Sequence, residues 1–210
     1  VVIASWEIKG DEKIEVREEA ALFHPASLEH FLKVVYEDPH LLVVQKDAGT
    51  PCESSPIATT PTLVEIINAY FKRKQPHLKT HYVGLVHRLD KETSGLMVYT
   101  KTREANRITD QFKRHSTIRK YRAVVRGQLD KERDKIVSFL KKSDFLAKGQ
   151  KVKLSTPASG QKAITEWRVL ERYPDATLVE ITLNTGRTHQ IRVQMASVGH
   201  PVLGDKIYGR

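Results

Sequence analysis

The apolar positions of this chain change period several times. From Lys33 to Glu37 and from Leu41 to Gln45, valine and leucine crowd two short runs separated by Asp38-Pro39. That arrangement predicts two strands joined by a turn. Beyond the polar loop SSPIATTP, Leu63, Ile66, Ile67, Tyr70 and Phe71 recur at helical intervals, which predicts a helix with one apolar face. Thr60-Pro61 suits its start and the basic FKRK its end. Tyr82–Val86 and Leu96–Thr100 are apolar runs that bracket VHRLDKETSGL, residues 86–96, as a loop between strands. Arg103–Arg114 reads as a helix with Ala105, Ile108 and Phe112 on one side. Lys120–Arg126 alternates, placing Tyr121, Ala123 and Val125 on one strand face. Residues 127–162 read as an irregular, strongly basic insert. Ala163–Tyr173 and Thr177–Leu183 pair around Pro174-Asp175, and a helix from Thr188 to Val198 stops at Gly199 with Pro201 beyond.

Interleaved strands and helices with frequent hairpin turns predict a mixed α/β (α+β) domain, its sheet largely antiparallel and flanked by helices. Residues 1–33 form a charged extension, in which IKGDEKIEV suits a short strand and SLEHFLKV a short helix; residues 34–210 form the main domain. At 40% hydrophobic residues the chain supports a core, and no apolar run approaches the roughly 20 residues of a membrane helix. With 35 Lys plus Arg against 25 Asp plus Glu, the net charge of +10 favours a polyanionic partner. A single cysteine, Cys52, excludes an internal disulfide and suits a reducing compartment such as the cytoplasm. His77 and His81 stand four apart without a carboxylate at ligand spacing, so no metal site is expected. No long apolar face is left over once the core is assigned, which predicts a monomer.

Three polar segments need a chemical reason: His87-Arg88-Leu89-Asp90 with Thr93 and Ser94; Lys120-Tyr121; and Asn184 to Arg192, which contains Arg187, Thr188, His189 and Ile191. Asp90 lies among cations, as a carboxylate kept ionised beside an anionic ligand would. Arg187 precedes a helix start, where free amides favour anions. A guanidinium there is able to orient a carboxylate such as Asp90 and lower its pKa. The structural alternatives are an ordinary ion pair for Arg187, a half-buried strand aromatic for Tyr121 and plain solvent exposure for Arg88 and Lys91.

VGLVHRLDKETSGLMVYTKT, KYRAVVRG and LNTGRTHQIRVQMASVGHPVLGDKIYG, in this order and spacing, resemble the RluA-type pseudouridine synthases, as does VVYEDPHLLVVQK ahead of them. His87 favours that branch over the RsuA-type, which usually carries Gly there. The resemblance implies an RNA uridine isomerase acting on ribosomal or transfer RNA, with no cofactor and no metal. It implies that Asp90 is the essential carboxylate, by direct attack or through a glycal. Arg88 fills the place of the flipped nucleotide, and Tyr121 stacks on uracil and is a candidate base for the C5 proton. Arg187 pairs with Asp90, and Ile191 lines the apolar part of the pocket. His87, Leu89, Thr93, Ser94, Lys120, Thr188, His189 and Arg192 belong to the segments expected to hold substrate.

The family pattern continues past GDxxYG into a further strand and an LHA-type motif, whereas this chain ends at Arg210, so a terminal strand is expected to be missing. Residues 1–33 are too short for an S4 RNA-binding module and are at most its remnant. Two rival functions remain at this level. A catalytically silent RNA binder or chaperone on the same scaffold has no need of Asp90, Tyr121 and Arg187 together. A hydrolase using Ser94 lacks the G-x-S-x-G elbow, and no G-x-x-x-x-G-K-[ST] phosphate loop is present.

Overall fold

The computed structural model describes residues 32–53, 60–143 and 152–209. The proposed N-terminal remnant therefore lies almost wholly outside the described residues. The chain divides into two compact units, Val1–Asp110 and Gln111–Arg210. None of the described helices is long and apolar enough to cross a membrane.

The first unit is built on a four-stranded antiparallel sheet. Its strands are β1 (Lys33–Glu37), β2 (Leu41–Lys46), β3 (Gly84–Leu85) and β4 (Gly95–Thr100), in the order β1-β2-β4-β3. The β1–β2 turn forms where Asp-Pro predicted it. Asp38 Oδ1 accepts the amides of His40 and Leu41 at 2.7 and 2.6 Å, which closes the turn from its own side chain. Along β2 the alternation Leu42, Val44, Lys46 is buried, and its neighbours Met97 and Tyr99 on β4 are buried with it. Helix α1 (Leu63–Lys74) covers this face with Leu63, Ile67 and Phe71. Its cap is Thr62, two residues beyond the predicted start. Thr62 and Glu65 exchange hydrogen bonds in a capping box, whose side-chain oxygens accept from two backbone amides at the helix start. A short 3₁₀ turn (Glu104–Asn106) leads into α2 (Arg107–Lys113), within which the boundary of the two units falls.

The second unit carries a five-stranded antiparallel sheet in the order β5-β9-β8-β6-β7. The strands are β5 (Lys120–Arg126), β6 (Arg133–Lys142), β7 (Val152–Ser155), β8 (Gln161–Tyr173) and β9 (Ala176–Leu183). The predicted irregular insert is thus corrected: its described part holds two strands and the start of a third. In RDKIVSFLKK, Ile136 and Leu140 face the interior while the charged positions face solvent. Helix α3 (Gln190–Ser197) lies against β6, β7 and β8. Two buried glutamines one turn apart tie it down. Gln190 Nε2 donates to Ile164 O and Thr165 Oγ1 at 3.0 and 2.8 Å. Gln194 accepts from Thr165 Oγ1 at 2.5 Å and donates to Ser138 Oγ and Ala163 O. Satisfied buried amides of this kind fix one register of the helix on the sheet.

Candidate active site

In the first unit, the Asp90 segment is a turn between β3 and β4, as its apolar flanks predicted. Its backbone is held from beneath by a residue the sequence reading passed over. Lys46 is fully buried, and its ammonium donates to Asp47 O at 3.1 Å, Thr50 O at 2.7 Å and Lys91 O at 2.8 Å. All three of its protons are used. Burial lowers the Lys46 pKa, and the nearby Cys52, Glu92, Asp90 and Asp47 pull it back up. Gly49 N also donates to Lys91 O at 2.8 Å, and Thr93 N closes the turn onto Asp90 O at 3.0 Å. On the other side of Asp90, the Cys52 thiol donates to Leu89 O at 3.2 Å, and Leu89 packs on the apolar core. Gly95 adopts φ +146°, and a Cβ there would stand 3.4 Å from Leu89 Cδ1. A side chain at this position would carry backbone strain while making only ordinary contact with Leu89.

The neighbours of Asp90 divide by role. His87 Nε2 accepts the Val98 amide at 3.1 Å, so that nitrogen is unprotonated. It meets β4 just past Leu85↔Tyr99, where β3 has ended, and so replaces a ladder carbonyl with an imidazole. Arg88 is exposed and pairs with Glu53, a carboxylate that sequence spacing did not suggest. Exposed pairs of this kind contribute little and exchange partners readily. Lys91, Glu92 and Ser94 are exposed, and Asp90 and Thr93 half-buried. The cation beneath the turn is therefore Lys46, while Arg88 and Lys91 reach outward.

In the second unit, Tyr121 lies on the inner face of β5, half-buried, and packs with Ile191 against the core of Val125, Val179 and Ile181. Lys120 points to the opposite face and donates to Glu180 at 3.3 Å. Arg119, just ahead of β5, extends the ladder by accepting the Leu183 amide at 3.0 Å, so its side chain shares the direction of Tyr121. The Asn184–His189 turn is shaped by Gln190, whose Oε1 accepts from Thr185 Oγ1 at 2.8 Å and from the Arg187 amide at 3.0 Å. That amide is therefore occupied, and the expected anion-binding helix start at Arg187 is not formed. The helix begins three residues later, after His189 in a left-handed conformation (φ 52°). Arg187 Nε donates to Lys162 O at 3.1 Å. Thr188 is half-buried.

Arg192 and His189 are drawn into a structural network. Arg192 grips Asp205 with both Nε (2.7 Å) and Nη2 (2.9 Å), and lies 5.2 Å from the centre of the Tyr208 ring. Asp205 Oδ1 also accepts the amides of Ile207 and Tyr208 at 2.8 and 3.0 Å. His189 Nδ1 is 3.0 Å from Tyr208 Oη, which accepts the Val152 amide. The GDKIYG motif is thus a clamp on α3. Burial pushes the Asp205 carboxyl up, but the bonds from Arg192 and the two amides outweigh it and bring it from 3.8 to about 2. A depressed carboxyl stabilises the fold above its ordinary pKa, and that contribution is lost as pH falls toward 2. Asp205→Ala is expected to destabilise the chain by about 3 kcal/mol near neutral pH, because it strands a mostly buried guanidinium. It is also expected to remove about 2 kcal/mol of the stability the parent loses between pH 5 and pH 2. Denaturant unfolding of both proteins across that range checks this.

A family model for RNA pseudouridylate synthase matches residues 40–197. The chain belongs to that family. It is 38% identical over 181 residues to an uncharacterized RNA pseudouridine synthase of Aquifex aeolicus, covering 85% of this chain and 56% of that protein. It is equally similar, with the same coverage, to the ribosomal large subunit pseudouridine synthase D of Zymomonas mobilis. The chain thus spans little more than half the length of these curated relatives. Among solved structures, human RNA pseudouridylate synthase domain containing 1 superposes with a TM-score of 0.70 at 25% identity, over 90% of this chain and 73% of that one. The expected fold class, mixed with antiparallel sheets, is the one observed.

Proposed function

We propose that this chain isomerises uridine to pseudouridine in structured RNA, with ribosomal RNA as the substrate, in the cytoplasm. The observation that carries the reading is the Asp90 turn. Its backbone is fixed by Lys46, Cys52 and Thr93 while the carboxylate stands on a half-buried surface, and such fixation belongs to a group whose position matters. The ribosomal substrate is supported by the name of the Zymomonas mobilis relative, and the cytoplasm by the free, buried Cys52 thiol.

The reaction breaks the C1′–N1 bond, turns the uracil and joins C1′ to C5. The C5 proton leaves, N1 takes one up, and no group is imported. Asp90 serves the detached sugar, either by adding to it or by assisting a glycal. Tyr121, with Ile191 beside it, offers an aromatic and apolar seat for the base, with stacking worth roughly 1–3 kcal/mol. That seat offsets the few kcal/mol of unstacking that base extraction costs. Arg187 supplies positive charge, and Arg88 exchanges Glu53 for contacts with the RNA strand. Thr93 and Ser94 lie on the same turn as Asp90 and are assigned to substrate contact with it. Lys120, Arg192 and His189 are engaged as described above and are given no part in the chemistry.

Incubating unmodified transcribed ribosomal RNA with the chain and digesting it to nucleosides tests the reading. A new nucleoside of uridine mass with an acid-stable C–C glycosidic bond is expected. Unchanged uridine, with the RNA bound, would favour the silent binder.

A further inference from the structure

The second unit holds a cation, Arg119, that the mechanism above leaves unused. Arg119 precedes β5 on the Tyr121 face. Its Nη2 donates to Leu183 O at 3.2 Å and to His115 Nδ1 at 3.0 Å. Because a guanidinium only donates, His115 accepts through Nδ1 and is neutral. Burial, then the charges of Arg119 and Arg187, lower the His115 pKa. The backbone strains to hold it: among the described residues, His115 is one of two non-glycine residues with positive φ, at 56°. Across the turn, Gly186 leaves room for the guanidinium, since a Cβ there would come within 2.6 Å of Arg119 Nη1.

No carboxylate forms an ion pair with Arg119 or Arg187 among the described residues, although ion pairs are frequent elsewhere in the unit. Arg119 Nε is buried without a hydrogen-bond partner. Two guanidiniums, a neutral imidazole holding one of them and an orphaned N–H are costly together unless an anion offsets them. The anion that accompanies a uridine onto Tyr121 is a phosphodiester.

We propose that Arg119, steadied by His115 and flanked by Arg187 and the Gly186 turn, seats a backbone phosphate of the RNA beside the nucleotide held on Tyr121. This rests on the RNA-modifying reading above. Arg119 is then a binding residue, and one that reads no base.

The test uses the full chain and fluorescein-labelled dodecauridylate, with the dissociation constant measured against KCl. Losing one phosphate contact on single-stranded RNA lowers the salt slope by about 0.7 and weakens binding about five-fold near 0.1 M salt. Arg119→Gln is expected to show both changes, Arg119→Lys to stay within about two-fold, and Arg122→Gln on the opposite sheet face to keep the Arg119-dependent slope. An unchanged slope in a folded Arg119→Gln protein overturns the proposal and leaves Arg119 as a structural tie between His115 and Leu183 O. If Arg119→Gln does not fold, the parent decides: the ring Cε1–H resonance of His115, identified with His115→Asn, must shift on saturation with the RNA. No shift overturns the proposal. Absence of RNA binding by the parent sinks the RNA reading itself, which separates the two failures.

Discussion

Lys46→Met is expected to destabilise the chain by about 3 kcal/mol and to unfasten the Asp90 turn. Methionine keeps the length and most of the volume of lysine, so the buried space that Lys46 fills stays occupied. The three carbonyls of Asp47, Thr50 and Lys91 each lose a charge-assisted donor. A hydrogen bond to a charged group contributes about 1.5–3 kcal/mol, and a buried acceptor left unpaired costs a comparable amount. The net figure is held to about 3 kcal/mol because Gly49 N still serves Lys91 O and the buried ammonium no longer has to be desolvated. Amide exchange gives a local readout. The Gly49 and Thr93 amides, bonded to Lys91 O and Asp90 O, are expected to exchange faster in the variant by more than the global loss explains. Equal protection of both amides in the two proteins would show that Lys46 merely fills space.

Asp90→Asn is expected to leave stability within about 0.5 kcal/mol and to reduce turnover at least a thousand-fold, equivalent to about 4 kcal/mol of transition-state stabilisation. The turn is fixed through the backbone of Leu89, Asp90 and Lys91, which the substitution does not touch. Asparagine is isosteric but carries no charge to meet a cationic sugar centre. Thermal melts and single-turnover rates on the same RNA separate the two effects. A large fall in melting temperature would place Asp90 in the fold rather than in the chemistry.

Much of the fold was legible because period and punctuation agreed. The Asp38-Pro39 turn, the face of α1 and the β8–β9 hairpin at Pro174-Asp175 all combine an apolar rhythm with a turn or cap residue. The strand β6 was not legible, since the lysines and the one arginine along it swamp the inward Ile136 and Leu140. Lys46 was misread for a physical reason: lysine is almost never fully buried, so a strand was ended at Gln45 although Leu42, Val44 and Lys46 keep strict alternation. The same parity rule distinguishes Arg119 from Lys120, because only the residue two before Tyr121 shares its face. His87 and Arg192 are expected among the substrate groups because they sit in the motif segments, and the structure adds a structural partner for each. Their observed partners, the Val98 amide and Asp205, are distant in sequence and carry no spacing signal.

The central claim is uridine isomerisation with Asp90 as its essential carboxylate. Tritium release from RNA labelled at C5 of uridine, by the parent and by Asp90→Asn, tests it most directly, because every turnover expels the C5 hydrogen. Release by the parent and background release by the folded variant is the predicted result. Equal release by both would remove Asp90 from the reaction, and no release by a parent that binds the RNA would contradict the enzymatic reading of this chain.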